Sequence, residues 1–229
     1  MHTKIKICGI TNVEDMLLCA RLGADAVGLN FYSGSKRFVP PSAVMAIIKA
    51  LPPYVDPVAL YVDEPLFDAV QHVRQFCIGT VQWHCRGIPL PDQGGHPPLL
   101  LQWKDHILGL GGCRVIPAFA IVDATNLATV NAYLDGCRQA NRLPAGVLLD
   151  GHAPGQYGGT GQTAPWQLLA DFDPGVPVIL AGGLTPENVA EAIRIVRPYA
   201  VDVASGVESS PGRKDPDKLK RFVDAVRSV

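Results

Sequence analysis

The chain has 229 residues, which is enough for one domain with a large core. Hydrophobic residues make up 48% and charged residues 18%, a composition too apolar for a disordered chain. The formal net charge is −1, so charge gives no reason to expect binding to nucleic acid or to an anionic membrane.

The sequence carries neither a metal motif nor an export signal. Its cysteines stand at positions 8, 19, 77, 85, 113 and 137 and form no C-x-x-C pair, and the histidines lack metal-finger spacing, so we expect no metal site. Residues 1–4 lead directly into a strand-like run without a secretory signal, which predicts a cytoplasmic protein with reduced thiols. No apolar run approaches the ~20 residues that span a bilayer.

Short apolar runs alternate with helix-like segments along the chain. Residues 4–8 predict the first strand, and Asn12 is expected to cap a helix that runs to about Leu22 and ends at Gly23. Further strands are predicted at residues 26–30, 57–62, 79–84, 114–119, 145–150, 176–180 and 200–203. Further helices are predicted at residues 41–50, 65–75, 123–138, 163–170, 185–196 and 216–226, with Asp123 and Thr185 as N-caps.

Eight strands that alternate with helices predict a parallel sheet. An open, doubly wound sheet usually has fewer strands, and no G-x-G-x-x-G follows the first strand here. We therefore predict an α/β fold, a (β/α)8 TIM barrel, as a single domain over residues 1–229. Residues 86–113 interrupt the alternation, and residues 99–103 fit either the remnant of a fourth helix or a short extra strand.

A thiol and a carboxyl group close two of the predicted strands. Cys8 ends the first strand and Asp150 ends the sixth, and a barrel carries its catalytic groups at the C-terminal ends of its strands. The two residues are therefore a candidate acid–base pair. The alternatives are a buried small hydrophobe for Cys8 and a helix cap or ion-pair partner for Asp150. A free cysteine has a pKa near ~8.5, so a nearby positive charge is needed to make Cys8 reactive.

Glycine-rich loops follow three of the predicted strands. Loops 181–185 and 204–208 follow strands seven and eight, where barrels commonly bind phosphate through exposed backbone N–H groups. The residues expected to contact phosphate there are Gly182, Gly183, Ser205, Gly206 and Val207. Loop 155–161 follows strand six, and Gly158 and Gly159 give it the flexibility to close over a substrate; the alternative is an ordinary surface turn.

Three further side chains are candidates for substrate contacts. Arg37 lies on the loop after strand two, where its guanidinium could hold a planar carboxylate through two parallel hydrogen bonds, or simply be solvated. Gln82 and His84 end strand four, and a structural, hydrogen-bonded histidine is as good an interpretation of His84 as a substrate contact. Neither role of His84 requires a metal.

Several of these segments resemble the phosphoribosylanthranilate isomerase family of the tryptophan pathway, along nearly the whole chain. The opening K-I-K-I-C-G-I-T and the closing D-V-A-S-G-V-E are highly specific together, whereas other phosphate-binding barrels share only the glycine loops. The matching segments are residues 4–11, 23–31, 35–39, 81–84, 148–150, 157–161, 180–189 and 202–208.

The resemblance implies an Amadori rearrangement of N-(5-phosphoribosyl)anthranilate to 1-(2-carboxyphenylamino)-1-deoxyribulose 5-phosphate. By position, Asp150 matches the general acid, Cys8 the general base and Arg37 the residue that holds the anthranilate carboxylate, while the glycine loops after strands seven and eight match the phosphate site. It implies no cofactor, and a small phosphosugar–anthranilate substrate as the partner, with neither nucleic acid nor membrane. The choice between monomer and homodimer stays open.

Some positions depart from the family pattern. Gln162 stands where lysine is frequent, Cys85 where glycine usually follows the strand-four histidine, and Trp83 replaces a leucine. Two rival functions fit the sequence less well. Indole-glycerol-phosphate synthase relies on a lysine and glutamate set that the ends of strands two to four lack, and a phosphate-binding barrel without turnover does not need both Cys8 and Asp150.

Overall fold

Eight parallel strands close into a barrel in which each strand pairs with its neighbours in sequence, and the last strand pairs with the first. The computed structural model describes residues 2–63, 66–84, 112–151 and 166–229. The strands are β1 Lys4–Cys8, β2 Ala26–Asn30, β3 Asp56–Val62, β4 Thr80–His84, β5 Arg114–Ala120, β6 Val147–Asp150, β7 Val178–Ala181 and β8 Ala200–Val203. The predicted (β/α)8 barrel is confirmed, and each strand lies within two residues of its predicted bounds. The span of the domain over residues 1–229 stays a prediction.

Helices connect the strands around the outside of the barrel. They are α1 Val13–Leu22, α2 Pro41–Ala50, α3 Leu66–Phe76, α4 Ala124–Gln139, α5 Trp166–Leu169, α6 Val189–Val196 and α7 Pro216–Arg227. The predictions for residues 99–103, for most of the segment 86–113 and for the loop 155–161 lie outside the described residues. Within the described ranges, no helix is long and apolar enough to cross a membrane.

Side-chain hydrogen bonds fix the helix starts, in one case against the prediction. Asn12 caps α1 by accepting from the Asp15 N–H at 2.8 Å, and Asp123 caps α4, as predicted. The predicted start of α6 at Thr185 is wrong, because the helix begins at Val189, but the Thr185 hydroxyl does accept from the Glu187 N–H at 3.3 Å, as the predicted cap would. The amide of Asn188 accepts from the Thr185 N–H at 2.8 Å and donates to the Gly183 carbonyl at 2.9 Å. These bonds hold residues 185–188 in a turn that precedes the helix.

Successive side chains of β1 point alternately to the layer between barrel and helices and to the interior of the barrel. Ile5 and Ile7 are fully buried in the large apolar layer between the barrel and its helices. Lys6 and Cys8 point the other way, into the barrel, because successive strand side chains face opposite sides. Cys8 forms a small apolar cluster there with Leu60 and Val62 of β3. The alternation therefore places the side chains of Lys6 and Cys8 in the barrel interior.

A short hairpin follows β8 and was not predicted from the sequence. A 3₁₀ turn at Ser205–Val207 leads into β9 Glu208–Ser210, which pairs with β10 Arg213–Lys214. The hairpin is tied to the loop after β1, since the Thr11 hydroxyl donates to the Gly212 carbonyl at 2.7 Å. This contact places Glu208 and Lys214 at the C-terminal end of the barrel.

Candidate active site

The thiol of Cys8 lies at the end of β1 and is almost completely buried, with 7% exposure. Gly28 of β2 gives it room, since a Cβ at that position would be 2.9 Å from Sγ of Cys8. Any larger residue at position 28 would therefore displace the sulfur. The predicted position of Cys8 at the mouth of the barrel is confirmed by the strand bounds.

Burial and nearby positive charges shift the pKa of the Cys8 thiol in opposite directions. Burial raises the pKa of Cys8 above its ordinary value, and the positive charges of Lys6 and Lys214 oppose that rise. Lys6 is itself paired with Asp202 of β8, at 2.9 Å between Nζ and Oδ1. Burial is the largest single effect and lowers the pKa of Lys6, but the charges of Asp202 and Cys8, together with hydrogen bonds to both, outweigh it, and the net shift is upward. Lys6 is therefore an ammonium ion beside the thiol.

Asp150 ends β6 at the same end of the barrel, next to the loop after β7. A Cβ at Gly182 would lie 2.5 Å from Oδ1 of Asp150, and Gly182 has φ +92°, a conformation that side chains disfavour. Glycine at position 182 therefore makes space for the carboxyl group. Gly182, predicted only as a phosphate contact, is also part of the surroundings of Asp150.

Arg37 is held by a carboxylate that the sequence analysis did not assign to the site. Its Nε and Nη2 both donate to Glu208, with Nη2 at 2.7 Å from Oε2, and the arginine side chain crosses over Gly9. Burial alone would raise the pKa of Glu208, but hydrogen bonds from Arg37 and the charge of Lys214 hold it below its usual value. Arg37 is thus oriented by an ionised carboxylate before any substrate binds.

Lys214 links this ion pair to the end of β1. It is completely buried, and its Nζ donates to Oε1 of Glu208 at 2.9 Å and to the Cys8 carbonyl at 2.6 Å. The backbone N–H of Lys214 donates to Asp15 of α1 at 3.0 Å. Sequence reasoning missed Lys214, and a buried lysine six residues after Glu208 in a segment without apolar alternation gives no signal by itself.

Gln82 and His84 are paired side chains of β4. Nε2 of Gln82 is 2.8 Å from Nε2 of His84, and the buried Gln82 carbonyl oxygen has no hydrogen-bond partner among the described residues. Burial lowers the pKa of His84, and the charge of Asp150 only partly opposes the effect, so the imidazole is neutral near pH 7. His84 is therefore a neutral group within electrostatic reach of Asp150.

The loops after β7 and β8 pack together and leave backbone donors open. Gly206 approaches so closely that a side chain there would collide with the Leu184 carbonyl oxygen. Within the described residues, the N–H groups of Gly183, Ser205 and Gly206 form no hydrogen bond. Val207 is fully buried and its N–H donates to the Ala204 carbonyl at 3.4 Å, so its predicted contact with substrate stays a prediction. Gly158 and Gly159 lie outside the described residues.

A parallel barrel that carries a thiol, a carboxyl group and open amides at its C-terminal end belongs to the class of (β/α)8 enzymes. Residues 103–225 match the model of the family described as N-(5'phosphoribosyl)anthranilate (PRA) isomerase. The chain belongs to that family, and it is an isomerase of tryptophan biosynthesis, as the sequence resemblance implied.

Curated relatives and solved structures match this chain along nearly its whole length. The chain is 41% identical to N-(5'-phosphoribosyl)anthranilate isomerase of Geobacter metallireducens, over 98% of this chain and 99% of the relative. It is 43% identical to the enzyme of Acidithiobacillus ferrooxidans, over 99% and 98%. The crystal structure of the Thermotoga maritima isomerase superposes with a TM-score of 0.83 at 35% identity, covering 99% of this chain and 100% of that one. An isomerase in complex with reduced 1-(o-carboxyphenylamino)-1-deoxyribulose 5-phosphate superposes at 0.79 with 33% identity, covering 99% and 100%.

Proposed function

We propose that Cys8 is the general base and Asp150 the general acid of the Amadori rearrangement of N-(5'-phosphoribosyl)anthranilate in this chain. The observation that carries the proposal is their placement. Both residues are the last of their strands, β1 and β6, and therefore lie at the same rim of one closed barrel. β8 and β7 lie between them, so a substrate that enters the mouth has one group on each side.

The proton steps balance between these two residues. Asp150 protonates the furanose ring oxygen, the C1′–O bond breaks, and an iminium forms at C1′. Cys8, as thiolate, removes the proton from C2′, and the electron pair of that C–H bond forms the enolamine. Tautomerisation of the enolamine gives the ketone, 1-(2-carboxyphenylamino)-1-deoxyribulose 5-phosphate. One proton has been given and one taken, so the product is an isomer of the substrate and the reaction consumes no cofactor.

The two ends of the substrate are held by groups of opposite kinds. The open N–H groups of Gly183, Ser205 and Gly206 are donors suited to phosphate oxygens. The guanidinium of Arg37 is suited to the anthranilate carboxylate. Glu208 occupies its Nε–Nη2 edge, so the substrate carboxylate is expected on the Nη1–Nη2 edge. Holding both ends positions the ribose between acid and base.

Gln82, His84 and the glycine-rich loop with Gly158 and Gly159 complete the proposed site. The buried carbonyl oxygen of Gln82, which has no partner in the part of the chain that the structure describes, supports a substrate contact on β4. A dimeric isomerase is known from Thermotoga maritima, and the choice between monomer and homodimer stays open for this chain. Its location in the cytoplasm stays a prediction. The effects of Gln162 and Cys85 on activity also stay open.

Turnover tests the roles directly. With the substrate generated in place and the loss of its fluorescence followed, Cys8→Ser is expected to lower kcat by roughly 10²–10⁴-fold, because a hydroxyl is a much weaker base than a thiolate. Cys77→Ser, a change at an exposed cysteine on the outside of the barrel, is the control and is expected to keep wild-type activity. Near-normal turnover by Cys8→Ser would remove Cys8 from its role.

A further inference from the structure

An ion pair lies inside the barrel directly beside the thiol of Cys8. Nζ of Lys6 is 2.9 Å from Oδ1 of Asp202, and both side chains are only 7% exposed. Lys6 precedes Cys8 by two residues on β1, so the two side chains share the interior face of the strand. Asp202 lies on β8, opposite Lys6 in the register of the two strands. The pair therefore sits one layer below the thiol.

The location of this pair is costly for the fold. Each buried ion loses several kcal/mol of hydration, and a buried pair is often no more stabilising than apolar side chains of similar volume. Apolar residues do fill the interior on the other side of the barrel, where Ala118, Leu148 and Ile179 pack together. Stability alone therefore does not explain a lysine and an aspartate at this position.

Gly28 shows how close the ammonium group comes to the sulfur. A Cβ at Gly28 would lie 2.9 Å from Sγ of Cys8 and 3.0 Å from Nζ of Lys6, so both atoms border the same small space. The two atoms are therefore no more than about 6 Å apart, within the distance at which a charge shifts the pKa of its neighbour.

The other charges around the thiol are largely neutralised by one another. Lys214 and Arg37 face Cys8 from β10 and from the loop after β2, and both are bound to Glu208. Asp202 faces it from β8 and acts against the thiolate, while His84 faces the ion pair from β4 and is neutral. Among these charges, that of Lys6 has the largest effect on the pKa of Cys8 and lowers it.

We propose that Lys6, held in place by Asp202, is a positioning residue that stabilises the thiolate of Cys8 and sets the pH range in which the general base works. The proposal rests on the proposed function in one respect, namely that Cys8 is the base. Asp202 keeps the ammonium group inside the barrel, and Gly28 leaves room for that group and the sulfur to approach.

Alkylation of Cys8 measures the thiolate without turnover. The rate of reaction with iodoacetamide is followed as a function of pH by mass spectrometry of the peptide that contains Cys8. In the double variant Lys6→Met/Asp202→Asn, the midpoint is expected to rise by about one unit, because the lost charge of Lys6 acts on Cys8 more strongly than the lost charge of Asp202, which opposes it. The rising limb of kcat/KM with pH is expected to move by the same amount. Lys4→Met is the matched control, because Lys4 is on the same strand and paired with Asp25 but half-exposed at the far end.

An unchanged alkylation midpoint in the folded double variant would overturn the proposal. A second measurement needs no change at the ion pair. In the wild-type protein, the ¹³Cε chemical shift of Lys6, followed as a function of pH, is expected to change at the pH midpoint of Cys8. In Cys8→Ser that change is expected to disappear. A chemical shift that does not respond to the ionisation of Cys8 in the wild-type protein contradicts the proposal. If Cys8→Ser keeps its turnover, the assignment of Cys8 as the base is wrong, whatever the alkylation shows. If Cys8→Ser loses turnover but neither the alkylation midpoint nor the Lys6 resonance changes, only the role of Lys6 is wrong.

Discussion

The two sides of the barrel mouth are built differently. On the side of β1, β8 and the hairpin, five charged side chains form two sets, Lys6 with Asp202, and Arg37 with Glu208 and Lys214. On the side of β4, β6 and β7, the described contacts are a neutral amide–imidazole pair and a glycine that makes room for Asp150. The proposed base thus lies among fixed charges, and the proposed acid lies beside a neutral histidine and a glycine.

This difference matches what each group has to do. A thiol is a base only as thiolate, so nearby ammonium groups favour its working form. A carboxylic acid donates a proton only if it can hold one, and ammonium groups beside it would favour the carboxylate instead. Among the described contacts, the base therefore has ammonium groups that suit a thiolate, and the histidine near the acid is neutral.

The largest expected effect is on the acid side. Asp150→Asn keeps the size of the side chain but removes its proton donor, and we expect kcat to fall by roughly 10²–10⁴-fold. The KM should change little, because neither the phosphate donors nor Arg37 is altered. Steady-state kinetics with Asp63→Asn as the control, a carboxyl group that follows the end of β3, measures the effect. Equal activity of the two variants would show that the acid lies elsewhere.

The second effect is on stability and concerns the base side. Lys214→Met leaves Glu208 with one partner fewer and the Cys8 carbonyl without its donor, so we expect the free energy of unfolding to fall by about 3–5 kcal/mol. Urea denaturation followed by circular dichroism measures it. Lys220→Met is the control, since Lys220 forms an exposed pair with Asp224 that is worth under about 1 kcal/mol. A loss no larger than that of the control would mean that the buried charge set does not hold the mouth together.

The sequence predicted the residues at the strand ends more completely than the charged partners around the base, for a physical reason. Strand alternation and strand ends are local signals, and they placed Cys8, Asp150 and His84 at the rim. The partners of the base side are remote in the chain: Lys6 and Asp202 are 196 positions apart, and Arg37 and Glu208 are 171 positions apart. Only the closure of the barrel brings them together, so no local pattern marks them.

The start of α6 is a second feature that the local sequence pattern did not predict. A threonine followed by proline is a typical helix start, and it predicted a helix from Thr185. The competing signal was one side chain, Asn188, whose amide bonds to both Thr185 and Gly183. Next to that turn, Gly183 has a left-handed conformation, φ +64°, and its N–H forms no hydrogen bond with the described residues. The local error therefore falls on residues that shape the site.

The smallest expected effect separates binding from chemistry on the base side. Arg37→Ala removes the proposed partner of the anthranilate carboxylate, so we expect KM to rise by about 10–100-fold, as for the loss of one charged hydrogen-bonding partner, while kcat falls much less. Steady-state kinetics measures the two constants separately. Arg213→Ala is the control, because Arg213 is an exposed arginine on the same hairpin as Glu208 and Lys214. An unchanged KM would contradict the carboxylate contact. A kcat that falls as far as in Cys8→Ser would instead mean that Arg37 and Glu208 act on the base, since Glu208 also holds Lys214 at the end of β1.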